Sequence, residues 1–164
     1  PDVLSNAGPH AFVDWEWCEC STQECLITNG MSISFWFRQD VYRCTAMTKW
    51  NSSWEVFYCS NLKFRTQGTG GNDLGTGNDA ISGFHNICVT STSTGRLIYV
   101  NGVVKATGTN TVSSQNTTNP ISIGAYYNGN YAMEGSLPYY ALYNRELTSD
   151  EVNQNYNAQK SGFR

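Results

Sequence analysis

Charge is the first thing this chain has little of. Asp, Glu, Lys and Arg make up only 14% of its 164 residues, against roughly a quarter in an ordinary soluble domain. Its 10 lysines and arginines form no run and the net charge is -3, so the basic stripe that a phosphate backbone demands is missing and nucleic acid is excluded as a partner. No apolar stretch approaches the roughly 18 residues of a membrane span, which excludes insertion by an apolar helix. Histidine is nearly absent: only His10 and His85 occur, and no spacing ties either to a Ser-His-Asp arrangement. Internal repeats are missing too, which excludes a solenoid or propeller. No secretory leader opens the chain, and its start at Pro1 rather than Met reads as a mature or excised product.

What is present points to a β protein that works outside the cell. Aromatic residues reach 13%, and Asn, Ser and Thr together supply 49 positions. A disordered segment would lack the aromatics, whereas β domains with long polar loops combine the two. The length is most simply that of one domain, 1–164, able to bury roughly two thirds of its unfolded surface. Six cysteines, Cys18, Cys20, Cys25, Cys44, Cys59 and Cys88, all fall in the first 88 residues, most of them in a Cys-rich stretch over 1–60. The stretch "CECSTQEC" has no matching second knuckle of the kind a zinc site shows. Structural disulfides in an oxidising compartment are the preferred reading, with connectivity open among 15 arrangements.

The periodicity is that of short strands. "MSISFWF" alternates Ile33, Phe35 and Phe37 on one face with Ser32, Ser34 and Trp36 on the other. "WEVFYC" (54–59) and "HNICVT" (85–90) have the same character. In "RLIYVNGVVKAT" the pair Asn101-Gly102 separates two β-branched runs, the pattern of a two-residue type I′ hairpin. Further strands are expected within 120–126 and 137–143, with a Gly/Asn/Ser/Thr loop over 66–83. Short strands without helical crossovers predict an antiparallel β-sandwich with Greek-key connections.

One segment breaks the pattern. In "YNRELTSDEVNQNYNAQ" (143–159), Thr148 suits an N-cap, Glu151 stands three residues on to complete a capping box, and Leu147 and Val152 occupy the staple positions. Asp150 and Glu151 favour the positive end of the helix dipole. The spacing predicts one short helix that docks through Leu147, Val152 and Tyr156, because two or three turns do not survive alone.

The succession "SISFWFR", "HNICVTSTSTGRLIYVNGVVKAT" and "PISIGAYYNGNYAMEGSLPYYALYNRELTSDEV" resembles the laminin G-like branch of the concanavalin A-like lectin/glucanase superfamily, most closely over 31–158. The resemblance implies an all-β, concanavalin A-like antiparallel sandwich of the jelly-roll kind, closed by one short C-terminal helix. The sequence departs from that branch in carrying Phe84 where Trp is usual before His85. Its Cys-rich first third has no counterpart there.

The superfamily includes enzymes, so "FVDWEWCEC" matters. Asp14 and Glu16 would share one strand face, as the two carboxylates of a retaining glucanase must, but the third acidic position of that motif falls on Cys18. No catalytic residue is therefore assigned, and His85 is read as structural. For a metal, "GGNDLGTGND" gathers Asn72, Asp73, Asn78 and Asp79, hard oxygen ligands suited to calcium. The resemblance implies calcium at loop tips, and the alternative is a solvated loop rich in turn formers. For a glycan, "AYYNGNYAMEG" offers Tyr126, Tyr127 and Tyr131 with Asn128 and Asn130, rings to stack on sugar C–H groups beside amides for hydroxyls. Trp50 and Trp54 form a second aromatic pair near a turn, and rings of either set can equally serve the core. Asn51 and Asn116 stand in glycosylation sequons.

These residues predict a non-catalytic extracellular recognition module that binds a glycan or another surface ligand. It would be secreted, or exposed on a virion or cell surface, with calcium as the one candidate cofactor. The ending "QNYNAQKSGFR" resembles the ends of laminin G-like modules in phage structural proteins. That resemblance implies an alternative, a virion or filament decoration protein working through a homo-oligomer or protein contacts. A glycoside hydrolase is the third reading.

Overall fold

The computed structural model describes residues 2–6, 11–12, 18–20, 30–40, 43–49, 54–59, 62–66, 72–77, 83–92, 94–109, 121–126 and 129–163, with backbone alone for the strands at 2–6, 11–12, 18–20 and 54–59. Thirteen strands among these residues form two antiparallel sheets. The first runs in the order β1 (Asp2–Asn6), β13 (Gly135–Tyr143), β4 (Met31–Gln39), β9 (His85–Ser91), β10 (Arg96–Val100) and β11 (Val103–Gly108), with β2 (Ala11–Phe12) also paired to β13. The second runs β3 (Cys18–Cys20), β12 (Ile121–Ile123), β5 (Arg43–Lys49), β6 (Trp54–Cys59), β7 (Leu62–Thr66) and β8 (Asn72–Gly75).

Alternation places the core between the sheets, as the period of "MSISFWF" requires. Met31, Ile33, Phe35 and Phe37 are fully buried on the inner face of β4, against Met47, Leu62, Phe64, Ile121 and Ile123 from the other sheet. Burying side chains of this size stabilises by about 1.5–3 kcal/mol each. The Asn101-Gly102 turn joins β10 to β11 with φ of 52° and 78°, the two positive values a type I′ hairpin needs. Within β13, Pro138 falls in the register shift between Ser136 and Tyr139, where its missing N–H breaks no regular ladder.

The outer face of the first sheet is buried as well, and the C-terminal helix is the reason. Helix α1 (Ser149–Gln159) begins with the capping box foreseen at Thr148 and Glu151. Leu147 and Val152 are buried with Cys88, Tyr99, Ala141 and Tyr143 in a second apolar cluster. Ser32 fixes the approach to the helix: its Oγ donates to the carbonyl of Arg145 at 2.9 Å and accepts the N–H of Leu147 at 2.8 Å. At the far end Trp36 donates from Nε1 to Gln159 Oε1 at 2.7 Å and stacks on Tyr156 and Phe163, with ring centroids 5.9 and 4.6 Å away.

Two expectations need correction. Residues 66–83 do not form one loop, because β8 pairs with β7 from Lys63↔Gly75 to Thr66↔Asn72. Leu74 opposite Phe64 packs on the core, a tertiary contact that outweighs the poor strand propensity of its Gly/Asn neighbours. The set of six disulfide cysteines also fails, since Cys44 and Cys88 are both buried thiols. Cys44 faces the inter-sheet core and Cys88 the cluster beneath α1, so the sandwich itself separates them. Burial pushes the Cys44 thiol up to about 12 and raises that of Cys88 still further. Cys18, Cys20 and Cys59 lie on β3 and β6, where only backbone is described, and Cys25 lies outside the described residues.

Candidate ligand-binding site

The segment from Gly124 to Glu134 connects β12 to β13 at the end of the sandwich where β4 finishes and β5 begins. Two apolar residues root it: Ala125 is fully buried and Met133 is 3% exposed, the latter in the inter-sheet core. Backbone bonds tie it on both sides. Gly124 N–H donates to the carbonyl of Ala46 at 3.0 Å, Thr45 N–H to that of Tyr131 at 2.9 Å, and Met133 N–H to that of Gly124 at 2.7 Å. The tip closes on itself through Tyr126 N–H to Asn130 O at 2.9 Å and Gly129 N–H to Tyr126 O at 2.8 Å.

Tyr131 is the residue this scaffold holds in an unusual state. Its φ is 53°, a left-handed conformation that bulky L-residues avoid at a cost of about 1–3 kcal/mol. The residue is 44% exposed, one of three large hydrophobic residues so exposed among those described. Its ring meets that of Tyr126 edge to face at 6.0 Å and 76°, a geometry favoured by ring quadrupoles. Asn130 is exposed beside it. The structure therefore brings together Tyr126, Asn130 and Tyr131 of the anticipated set, while Tyr127 and Asn128 lie outside the described residues.

Two exposed acidic residues that the sequence reading did not select stand on this segment or are bonded to it through the backbone. Glu134 is exposed three residues beyond Tyr131, and its carbonyl accepts the N–H of Asp40 at 2.8 Å, which brings the exposed end of β4 alongside. Asp40 pairs with Arg38 at 3.4 Å, and the Arg38 guanidinium lies 5.3 Å from the centroid of the Phe84 ring. Glu134 stands inside "AYYNGNYAMEG", three residues from Tyr131. Asp40 lies 91 positions before Tyr131 and carries no local signal.

The other candidate residues fall elsewhere. Asp73 sits on β8, not in a loop, and its carboxylate pairs with Lys63 at 3.5 Å. The buried guanidinium of Arg96 lies close enough to feel its charge. Asp73 thus stands in an ion pair with one cation and near a second. Asn72 shares β8 with backbone alone described, and Asn78 and Asp79 lie outside the described residues. Among the described residues no group of three His, Cys, Asp or Glu side chains could hold a metal ion. His85 opens β9, and Asn101 binds both strand residues there: its Oδ1 accepts Asn86 N–H at 3.0 Å and its Nδ2 lies 3.1 Å from His85 Nδ1. That is the structural role anticipated. His10, Asp14, Glu16, Trp50, Asn51 and Asn116 lie outside the described residues, and Trp54 opens β6 with its side chain undescribed.

Comparison with known proteins agrees with this architecture. The fold is similar to the receptor-binding domain of botulinum neurotoxin type G, at 18% identity and a TM-score of 0.64 over 81% of this chain and 39% of that one. It is similar to a structure of botulinum neurotoxin type C, whose passage into cells depends on interaction with two ganglioside molecules, at 17% identity and a TM-score of 0.61 over 79% of this chain and 36% of that one. A structure of NanB with Optactamide shares the fold at 14% identity and a TM-score of 0.77 over 94% of this chain and 28% of that one. The chain thus spans between 28% and 39% of the length of these three. No curated protein matches it in sequence. Residues 18–153, well over half of the chain, match the laminin G family described as the concanavalin A-like lectin/glucanases superfamily, and the chain belongs to that family.

Proposed function

We propose that the chain is a non-catalytic recognition module, one domain over 1–164, that works outside the cell or on a particle surface. It binds a glycan or a similar surface ligand through the loop carrying Tyr126, Asn130 and Tyr131. The observation that carries this reading is Tyr131, strained at φ 53° and 44% exposed on a loop whose two ends are rooted in the core. Tyr131 leans edge-to-face on Tyr126 yet stays solvent-facing in a strained conformation, and such backbone outliers gather at ligand clamps. Tyrosine offers a flat apolar face for sugar C–H groups, with Asn130 and Glu134 at hand for hydroxyls. The family's lectin-like fold and the receptor-binding toxin domains among its structural neighbours support recognition over hydrolysis.

A glycan array with the intact chain, in calcium and in EDTA, tests the proposal. Binding to defined glycans is expected, with affinity reduced about tenfold or more by Tyr131→Ala, the scale of one lost stacking contact. Silence across a broad array would overturn it. A stable homo-oligomer without a ligand would then favour the assembly reading.

A further inference from the structure

A left-handed tyrosine persists only where its surroundings over-determine it, and Tyr131 is held from both sides along the chain. Before it, the Asn130 carbonyl accepts the N–H of Tyr126 at 2.9 Å, and its own carbonyl accepts the N–H of Thr45 at 2.9 Å. Two residues beyond, Met133 N–H donates to the Gly124 carbonyl at 2.7 Å, and Met133 belongs to the inter-sheet core. We infer that Met133 is the positioning residue of this site: its burial holds the returning limb of the loop, and through it the left-handed Tyr131, in the conformation a glycan meets. The inference rests on the loop being the binding site.

Burial and size single out Met133. At 3% exposure it cannot itself meet a ligand, so any effect it has on binding passes through the loop. Ala125, the other buried root, ends at its β-carbon and has no length with which to anchor the limb. The backbone bonds to Thr45 and Gly124 fix where the limb lies, but they exist only while the limb stays against the sandwich. The apolar burial of Met133 supplies the contact that keeps it there. A ligand therefore meets rings already in place and does not have to order them, which spares the entropy of assembling the site.

The test compares Met133→Ala with Met133→Leu, which nearly conserves volume, and with a matched control, Met31→Ala. Met31 is fully buried in the same core but opens β4, about 26 Å from the loop end of that strand at about 3.3 Å per residue. Hydrogen exchange followed by NMR reads the amides of Thr45, Tyr126 and Met133, and a glycan array reads binding, both with the chain folded. The wild-type amides are expected to be protected. Met133→Ala is expected to lower that protection at least about tenfold relative to the amides of β9, and to weaken binding at least about tenfold. Met133→Leu should restore both, and Met31→Ala should move neither by more than about twofold. If Met133→Ala does not fold, Met133→Val carries the same comparison.

Wild-type loop amides that exchange as freely as in an unfolded chain overturn the inference without any variant, and so does a Met31→Ala that matches Met133→Ala. Binding lost in Tyr131→Ala but kept in Met133→Ala overturns the inference and leaves the loop as the site. Silence of the wild type across the array overturns the proposed function and the inference with it.

Discussion

Tyr131 joins strain and exposure in a single residue, and its conformation makes a stability prediction independent of any ligand. At φ 53° a β-carbon is penalised, so Tyr131→Gly is expected to be more stable than Tyr131→Ala by about 1 kcal/mol, the reverse of the usual order. Thermal melts of the two variants check this, and both should lose the ligand. The cysteines allow a second test at this scale. Cys44 and Cys88 are buried thiols held protonated by burial, and only the thiolate is nucleophilic. Iodoacetamide followed by mass spectrometry should leave both unmodified in the native protein and label both in guanidinium. Labelling of Cys88 before unfolding would show that α1 does not cover it.

At the scale of elements, the start of α1 is where solution conditions act most directly. Arg145 holds both carboxylate oxygens of Glu151, at 2.9 and 2.8 Å, and Thr148 N–H adds a bond at 2.8 Å. The side-chain bonds from Arg145, then the Thr148 N–H, lower the carboxyl from its ordinary 4.5 to about 2. The folded form is the one with the depressed value, so its stabilisation is complete above pH 4.5 and is lost as pH falls towards 2. Because the pair is exposed and screened, the effect is modest. Glu151→Gln should flatten the stability-versus-pH curve in that window, measured by circular dichroism melts, and leave it unchanged near neutral slope above it. The helix also meets the β10–β11 turn: a β-carbon on Gly102 would come within 3.2 Å of Asn153 Oδ1 and Tyr156 Cδ1. The short hairpin thus needs Gly102 for its backbone angle and for its contact with α1.

For the whole molecule, the C-terminal helix changes the first sheet from one-sided to two-sided burial. Ser32, Ser34 and Trp36 would face water in a bare sandwich, yet they are 0%, 3% and 2% exposed. Deleting residues from Ser149 onward should uncover Trp36, Tyr99 and Cys88 together, an apolar patch that leads to association. The truncated chain is expected to bind a hydrophobic dye and to aggregate, with the intact chain doing neither. The opposite edge of that sheet is guarded differently. β11 ends the strand order, its register with β10 slips between Ile98 and Tyr99, and exposed Lys105 falls at the slip. A bulge and a lysine both discourage strand addition.

Features set by neighbours along the chain are legible in the sequence. The 2.0-residue alternation of "MSISFWF", the Asn-Gly hairpin and the Thr148/Glu151 capping box are local physics, and each stands in the structure as read. The family was legible for the same reason, since its motifs are runs of such local signals. Contacts across the fold were decided only by tertiary structure. Leu74 made a strand of a stretch whose composition reads as loop, because Phe64 lies opposite it on β7. Asp73 became an ion-pair partner because β7 and β8 meet, and Cys88 remained a thiol because helix and sheet close over it. The Tyr126/Tyr131 pair was visible as composition, but the strain at Tyr131 and the arrival of Asp40 were not. Asp40 and Thr45 meet this segment through backbone bonds to Glu134 and Tyr131, 94 and 86 residues further on, distances over which no sequence periodicity reaches.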